Sequence, residues 1–174
     1  MKVLIAPQAF KGGLSAAKAA LAIETGVRQV FPEAEVVRLP VADGGDGTLE
    51  ALVKNTNGRM FSQQVTGPLG RPVTAQWGVM GDGKTAVIEI AQASGLALIH
   101  PGRRDPRLST TFGTGQLIRA ALNHGYRRII IGLGGSATND GGAGMAQALG
   151  VRFLDRAGTI LPFGGAALAN LDSV

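Results

Sequence analysis

The first forty residues carry the pattern of a strand, a helix and a second strand. Residues 2–6 form a short apolar run, and residues 36–39 form another. Between them, Ser15 precedes apolar residues at three- and four-residue spacing, which predicts a helix that Pro32 ends. Two strands joined in this way pair in parallel through a right-handed crossover. The opening therefore predicts an α/β fold.

The pattern changes in the middle of the chain. Apolar and polar residues alternate over 73–79, a Gly-Asp-Gly turn follows, and residues 85–90 form a second apolar run. This arrangement predicts a β-hairpin. A hairpin after a parallel unit predicts a second, mixed α/β domain, so that the chain divides into residues 1–60 and 61–174.

The remaining apolar patterns predict short elements, most of them closed by glycine. They are a helix from Gly47 to a left-handed glycine cap at Asn57-Gly58, a helix around 117–122 closed by Gly125, a strand over 128–131, a helix over 143–149 closed by Gly150, and a strand over 151–154. A last helical pattern over 166–171 has no partner after it, which leads us to expect a truncated end.

Composition excludes several classes of protein. Hydrophobic residues make up 45% of the chain and charged residues 17%, which excludes a disordered chain. Cysteine is absent, and the sequence contains neither a signal-peptide core nor a membrane-length apolar stretch, so we expect a cytoplasmic protein without a membrane partner. The net charge is +5, but the basic residues are scattered. This charge suits a small anionic ligand better than a nucleic acid.

Glycine-rich loops follow three predicted strands, at the sheet edge where anions meet positive helix ends. The first loop, residues 10–15, contains Lys11, which is placed to meet a phosphate or a carboxylate. A surface lysine beside a turn is the alternative. The second loop, residues 41–48, contains Asp43 and Asp46, whose carboxylates could hold Mg²⁺ or accept a substrate proton. Asp46 could equally cap the following helix, so Asp43 is the stronger candidate.

The third loop, residues 131–142, combines paired glycines with Ser, Thr, Asn and Asp side chains. Successive backbone N–H groups there could cradle a phosphate. Ser136, Asn139 and Asp140 could add hydroxyl, amide and carboxylate contacts to phosphate oxygens or a metal ion. The alternative is a tight connection that needs glycine only for its backbone geometry.

Other signals have plainer interpretations. A Gly-x-Gly-x-x-Ala motif at residues 132–137, with Asp155 after it, imitates the fingerprint of a NAD-dependent oxidoreductase, but the helix begins too late. The sequence contains no Walker-type phosphate loop. Strand alternation favours an outward position for Glu89 over a functional one. His100 and His124 show no ligand spacing and are interpreted as surface or cap residues.

The glycine-rich loops also carry a family resemblance, together with two segments between them. The matching segments are Ala6-Pro7 through Phe10-Lys11-Gly12, residues 39–45, Glu89 to Gly95, Thr110 to Gly115, and residues 134–142. Along its whole length the chain resembles the N-terminal half of the type I glycerate kinase family. The resemblance implies a Rossmann-like parallel unit followed by the start of a second mixed α/β domain, with a cleft between them. It also implies ATP with Mg²⁺ as donor and D-glycerate as acceptor, with 2-phosphoglycerate favoured as product.

Under this resemblance the loop residues have expected roles. Asp43, Lys11 and Asp140 are the expected catalytic residues. Asp43 is the candidate proton acceptor or metal ligand, Asp140 is the competing candidate for that role, and Lys11 is the neutralising cation. Asp46 is the expected metal ligand. The expected nucleotide contacts are Gly44, Gly45, Gly134, Gly135, Ser136 and Asn139.

Three departures from the family pattern favour an alternative function. Gln8-Ala9 stands where the family usually has Asp-Ser, Gln116 stands where it commonly has Glu, and family members continue beyond the end of this chain. The alternative is a non-catalytic truncated fragment that at most binds nucleotide or a small organic acid. An apolar face left open in such a fragment would favour a homodimer.

Overall fold

The structure is a computed structural model that describes residues 1–10 and 13–174. Its strands are β1 (Lys2–Ile5), β2 (Glu35–Arg38), β3 (Arg59–Thr66), β4 (Pro72–Val79), β5 (Thr85–Glu89) and β6 (Arg128–Gly132). Its α-helices are α1 (Ala16–Val30), α2 (Thr48–Asn55), α3 (Ile90–Ser94), α4 (Phe112–Asn123) and α5 (Ala143–Ala148). Short 3-10 helices lie at Leu96–Leu98, Pro101–Arg103 and Gly165–Asn170.

The first strand, helix and strand form the parallel unit that the sequence predicts. β1 and β2 pair in parallel, with Lys2 opposite Glu35 and Ile5 opposite Arg38. The hydroxyl of Ser15 accepts the backbone N–H of Lys18 and caps α1. Capping by serine satisfies one of the free N–H groups at a helix start.

The second sheet is mixed and contains four strands in the order β3-β4-β5-β6. The predicted hairpin of β4 and β5 is confirmed by their antiparallel pairing. β6 then joins β5 in parallel. β3 was not predicted from the sequence, because polar residues fill its centre at Ser62, Gln63 and Gln64. β3 lies at one edge of the sheet, where polar side chains reach solvent.

Helices cover both faces of this sheet. On one face, Trp77 and Ile88 pack with Leu117 of α4 in the main core. On the other face, Val87 packs with Leu49 and Val53 of α2. Successive strand residues point to opposite faces, so Val87 and Ile88 serve different layers. α2 therefore packs on the second sheet although it lies within the first 60 residues, and the division at residue 60 stays a prediction.

The structure corrects three predicted element details. Asn57, with φ +55°, is the left-handed residue after α2, whereas Gly58 is needed because a Cβ there would lie 2.1 Å from the carbonyl oxygen of Val79. Residues 151–154 do not form a strand, since Leu154 makes only isolated bridges. The pattern over 166–171 forms a 3-10 helix.

Across the described ranges, the structure offers no helix with both the length and the apolar character needed to cross a bilayer.

Candidate functional site

Two of the glycine-rich loops meet where their strands end. The backbone N–H of Gly134, just after β6, donates to the carbonyl oxygen of Gly44 at 2.6 Å. A Cβ on Gly134 would lie 2.4 Å from the Cα of Gly45, and one on Gly132 would lie 2.8 Å from the carbonyl oxygen of Gly44. Glycine allows backbones to approach this closely because it has no Cβ. The second and third loops therefore form one continuous surface.

The two aspartates of the second loop have different surroundings. Asp43 is exposed, and its Oδ1 accepts the backbone N–H of Gly45 at 2.9 Å. Asp46 is also exposed, and its Oδ1 lies 2.8 Å from the position that a Cβ on Gly135 would take. Asp46 does not cap α2, since Gly47 is the N-cap residue. The carboxylate of Asp46 therefore lies against the third loop, and its metal-binding role stays a prediction.

Glu89 is buried beneath the first turn of α2, so the outward position predicted from the sequence is wrong. It is the last residue of β5 and shares a strand face with Val87, which packs against α2. Its Oε2 accepts the backbone N–H of Leu49 at 3.0 Å, and the residue is 1% exposed. Burial raises the pKa of Glu89, while hydrogen bonds from the backbone of Leu49 and Gly47 oppose the rise. β5 is covered on both faces, so alternation along it has no outward side.

A cleft of about 720 Å³ opens beside these residues. The loop after β1, the first turn of α2, β4 and α3 contribute to its walls. Asp46 and Glu89 supply carboxylates, Gln92 supplies an amide, and Ser15 supplies a hydroxyl at the start of α1. Clefts that combine apolar walls with a few polar groups are typical of small-molecule sites.

Asp140 is buried, and donors from the starts of two helices occupy its carboxylate. Its Oδ2 accepts the backbone N–H of Thr111 at 2.8 Å and the hydroxyl of the same residue at 2.9 Å, at the start of α4. At the start of α5, the backbone N–H of Gly142 donates to Oδ1 and that of Gly144 donates to Oδ2, both at 3.2 Å. Negative charge stabilises helix N-termini. This geometry suits a residue that shapes the third loop, and the catalytic role of Asp140 stays a prediction.

The remaining predicted contacts are spread along the loops. The hydroxyl of Ser136 lies 2.7 Å from that of Thr138, and the side chain of Asn139 is exposed. Among the described residues that line the cleft, none comes from the third loop. Lys11 lies outside the described residues. Gln116 ties α4 to β3, because its Oε1 accepts the backbone N–H of Thr66 at 2.7 Å.

Among the described residues, a metal ion could obtain only one or two carboxylate ligands at one place. Within residues 1–10 and 13–174, no group of three or more Asp, Glu, His or Cys side chains could hold a metal ion. Mg²⁺ in phosphate-transfer sites commonly takes one or two carboxylates and obtains its other ligands from phosphate and water. The exposed carboxylate of Asp46 at the cleft fits that smaller contribution.

Ser15 and Gln92 line the cleft and were not predicted from the sequence as members of the site. Ser15 was recognised only as the start of a helix, and Gln92 lies in a segment too short for a periodic pattern. The signal available for Glu89 was a charge within an otherwise apolar run. A charge at the carboxyl end of a buried strand indicates a site more strongly than an outward face.

Comparisons with known proteins give one consistent result. A model described as the glycerate kinase family matches residues 3–174. The chain is 60% identical over 174 residues to the glycerate kinase of Bacillus subtilis (strain 168), which covers 100% of this chain and 46% of that protein. It is 54% identical over 174 residues to the glycerate 2-kinase of Escherichia coli (strain K12), again with 100% and 46% covered. The chain therefore spans about half the length of the curated relatives it matches.

A solved structure supports the fold. The crystal structure of a candidate glycerate kinase 2 from Salmonella typhimurium LT2 matches this chain with a TM-score of 0.84 and 53% sequence identity. The match covers 99% of this chain and 47% of that chain. The predicted α/β fold, with a parallel unit followed by a mixed sheet, is confirmed.

Proposed function

This chain belongs to the glycerate kinase family, and from that premise we propose that its protein transfers the γ-phosphoryl group of ATP to a hydroxyl of D-glycerate. The observation that carries the proposal is the contact of the second and third loops, where the N–H of Gly134 meets the carbonyl of Gly44 at 2.6 Å. This contact joins two glycine-rich loops beside the cleft that Asp46 lines. Glycine-rich backbone next to a carboxylate suits phosphate and Mg²⁺ together.

The nucleotide phosphates are proposed to lie against the two joined loops. Gly44, Gly45, Gly134 and Gly135 are proposed to offer backbone N–H groups to the phosphates, since Gly134 and Gly135 pack closely against the second loop. Ser136 and Asn139 are proposed to add a hydroxyl and an amide. Gly47 lines the cleft, and no described atom lies within 4 Å of the position that its Cβ would take. A ligand in the cleft could therefore approach the backbone of Gly47 closely. Lys11 is proposed, from the sequence, to neutralise phosphate or the glycerate carboxylate.

The proposed reaction is an in-line displacement. A glycerate hydroxyl oxygen forms a bond to the γ-phosphorus, the bond from that phosphorus to the β–γ bridging oxygen breaks, and ADP leaves. The hydroxyl proton passes to the carboxylate of Asp43, the proposed acceptor. Mg²⁺, held in part by Asp46, would neutralise charge on the phosphates when bound. Positioning and charge stabilisation supply most of the rate in such transfers.

The 2-hydroxyl is the proposed acceptor atom. Support comes from the Escherichia coli relative, which is named a glycerate 2-kinase and is 54% identical over 174 residues. Phosphorus NMR of the product, compared with authentic 2- and 3-phosphoglycerate, distinguishes the two hydroxyls.

The first test is a coupled ADP-release assay with D-glycerate, ATP and Mg²⁺. Asp43→Asn should lower kcat about 10²- to 10⁴-fold, the usual effect of removing a general base. Asp155→Asn is the matched control, because Asp155 also accepts a backbone N–H two residues ahead, from Ala157 at 2.9 Å. Near-normal turnover of Asp43→Asn would refute the role of Asp43. If the chain is silent, the same pair of changes is made in the full-length Bacillus subtilis relative.

The second candidate function is ligand binding without turnover. The observations that favour it are two lost carboxylates: Gln8-Ala9 stands where the family usually has Asp-Ser, and Gln116 stands where it commonly has Glu. A ligand-dependent thermal shift without ADP release would support this candidate. Light scattering in the same samples tests the proposed homodimer, and a monomer would count against dimerisation.

A further inference from the structure

Glu89 joins two parts of the chain that are far apart in sequence. Its Oε2 accepts the N–H of Leu49 at 3.0 Å, across a separation of 40 residues. With 1% of the residue exposed, water cannot replace this bond readily. Removing the acceptor of a buried backbone N–H destabilises the folded state, because the N–H has lost its water and gains no other partner.

Among the described residues, Glu89 is the side chain that holds the first turn of α2 to the second sheet, whereas Thr48 holds this turn to the second loop by accepting the N–H of Gly44 at 3.0 Å. The N-cap of α2 is Gly47, which has φ +91° and no side chain to accept the N–H groups of the turn. Leu49 is the second residue of the helix, where a capping side chain normally provides the acceptor. Glu89 takes over that role from the neighbouring strand β5.

The anchored turn is continuous with the candidate metal ligand. Asp46 lies three residues before Leu49, and its Oδ1 lies 2.8 Å from the Cβ position of Gly135. Both Asp46 and Glu89 line the cleft. A shift of the first turn of α2 would therefore move Asp46 relative to the third loop.

We propose that Glu89 is a positioning residue: by holding the first turn of α2 to the second sheet, it fixes Asp46 at the cleft. The part of this inference that concerns Mg²⁺ and nucleotide rests on the function proposed above. Glu89 acts through Leu49 and Asp46 and takes no part in bond making.

The chemistry of the contact predicts an order among substitutions. Glu89→Gln keeps the length and one acceptor oxygen, so it should hold the turn. Glu89→Leu fills similar space but has no acceptor, and Glu89→Asp is one methylene shorter. Both should release the turn. Glu35→Gln, at an exposed ion pair with Lys2, is the control for a change of surface charge.

The direct test is amide hydrogen exchange by NMR on this chain. In Glu89→Leu and Glu89→Asp, the N–H of Leu49 should exchange at least about tenfold faster, while Val87 in β5 stays protected. Glu89→Gln and Glu35→Gln should exchange like the wild type. Unchanged exchange at Leu49 in Glu89→Asp would overturn the proposal, even if Glu89→Leu fails to fold. Equal loss of protection at Leu49 and Val87 would also overturn it, because that indicates general destabilisation.

A binding test addresses the link to function. The apparent Kd for Mg-ATP should rise at least about fivefold in Glu89→Asp and return to the wild-type value in Glu89→Gln. Rescue by Gln separates positioning from a need for negative charge, and loss of binding in Glu89→Gln would overturn positioning. If the wild-type chain does not bind Mg-ATP, the nucleotide site proposed for this chain fails, while the exchange data still decide whether Glu89 holds the turn.

Discussion

Gly134→Ala should break the contact between the two glycine-rich loops. The added Cβ would lie 2.4 Å from the Cα of Gly45, 2.8 Å from its backbone nitrogen and 3.0 Å from the carbonyl oxygen of Gly44. All three are backbone atoms, so no side chain can rotate away to make room. The loops must separate, and the 2.6 Å bond from the N–H of Gly134 to Gly44 is lost or lengthened.

The expected cost combines two effects. Forcing an extra carbon into packed structure costs about 1–3 kcal/mol. Losing one hydrogen bond adds about 1 kcal/mol. Together they predict a fall of about 2–4 kcal/mol in the free energy of unfolding, and for a chain of this size each kcal/mol lowers the Tm by about 2–4 °C.

The assay is urea denaturation followed by circular dichroism, with Gly26→Ala as matched control. Gly26 lies in α1, and a Cβ there meets no described atom within 4 Å. Alanine should therefore stabilise that helix by up to about 1 kcal/mol. A Gly134→Ala protein within about 0.5 kcal/mol of wild type would refute the reasoning, because it would mean that the loops are not in contact. Gly134→Ala should also weaken binding of Mg-ATP in a thermal-shift titration.

Asp140→Asn should lower the free energy of unfolding by about 2–3 kcal/mol in urea, because its amide cannot accept all the buried donors. Exposed Asp43→Asn should change it by about 0.5 kcal/mol or less, and equal effects would contradict this contrast. The raised pKa of Glu89 means that the folded state binds this proton more tightly, so stability should fall as pH rises from 4.5 through the folded pKa. Glu89→Gln should lack that slope, and an unchanged slope would exclude Glu89 as its source. Thr85→Val should raise the pKa of Asp82 above its value of about 2, measured by carboxyl NMR, because the Thr85 hydroxyl is the largest cause of the lowering; an unchanged pKa would contradict this assignment.

Periodicity and end signals predicted much of the fold. Ser15 and Pro32 marked the limits of α1, and the glycines around Asp82 marked the hairpin turn. β3 was missed because its polar centre hides the alternation. The strand expected over 151–154 is absent because an apolar run forms a strand only when another strand pairs with it.

The site was predictable in part. Position after a strand identified the second and third loops as candidates, and their glycines indicated close backbone approach. Their meeting could not be predicted, because Gly44 and Gly134 touch through backbone atoms and carry no side chain that would indicate a partner. Glu89 was misjudged because its surroundings depend on α2, which lies 40 residues away in sequence.

The packing of α2 has a consequence for cooperativity. This helix follows the first parallel unit along the chain, but Leu49 and Val53 are buried against Val87 of the second sheet. Cutting the chain after α2 would expose Leu49 and Val53 on one piece and Val87 on the other, although the main core around Trp77 would stay within the second piece. Burial of these side chains links α2 to the second sheet rather than to the strands that precede it. The second sheet and α2 are therefore expected to unfold as one unit.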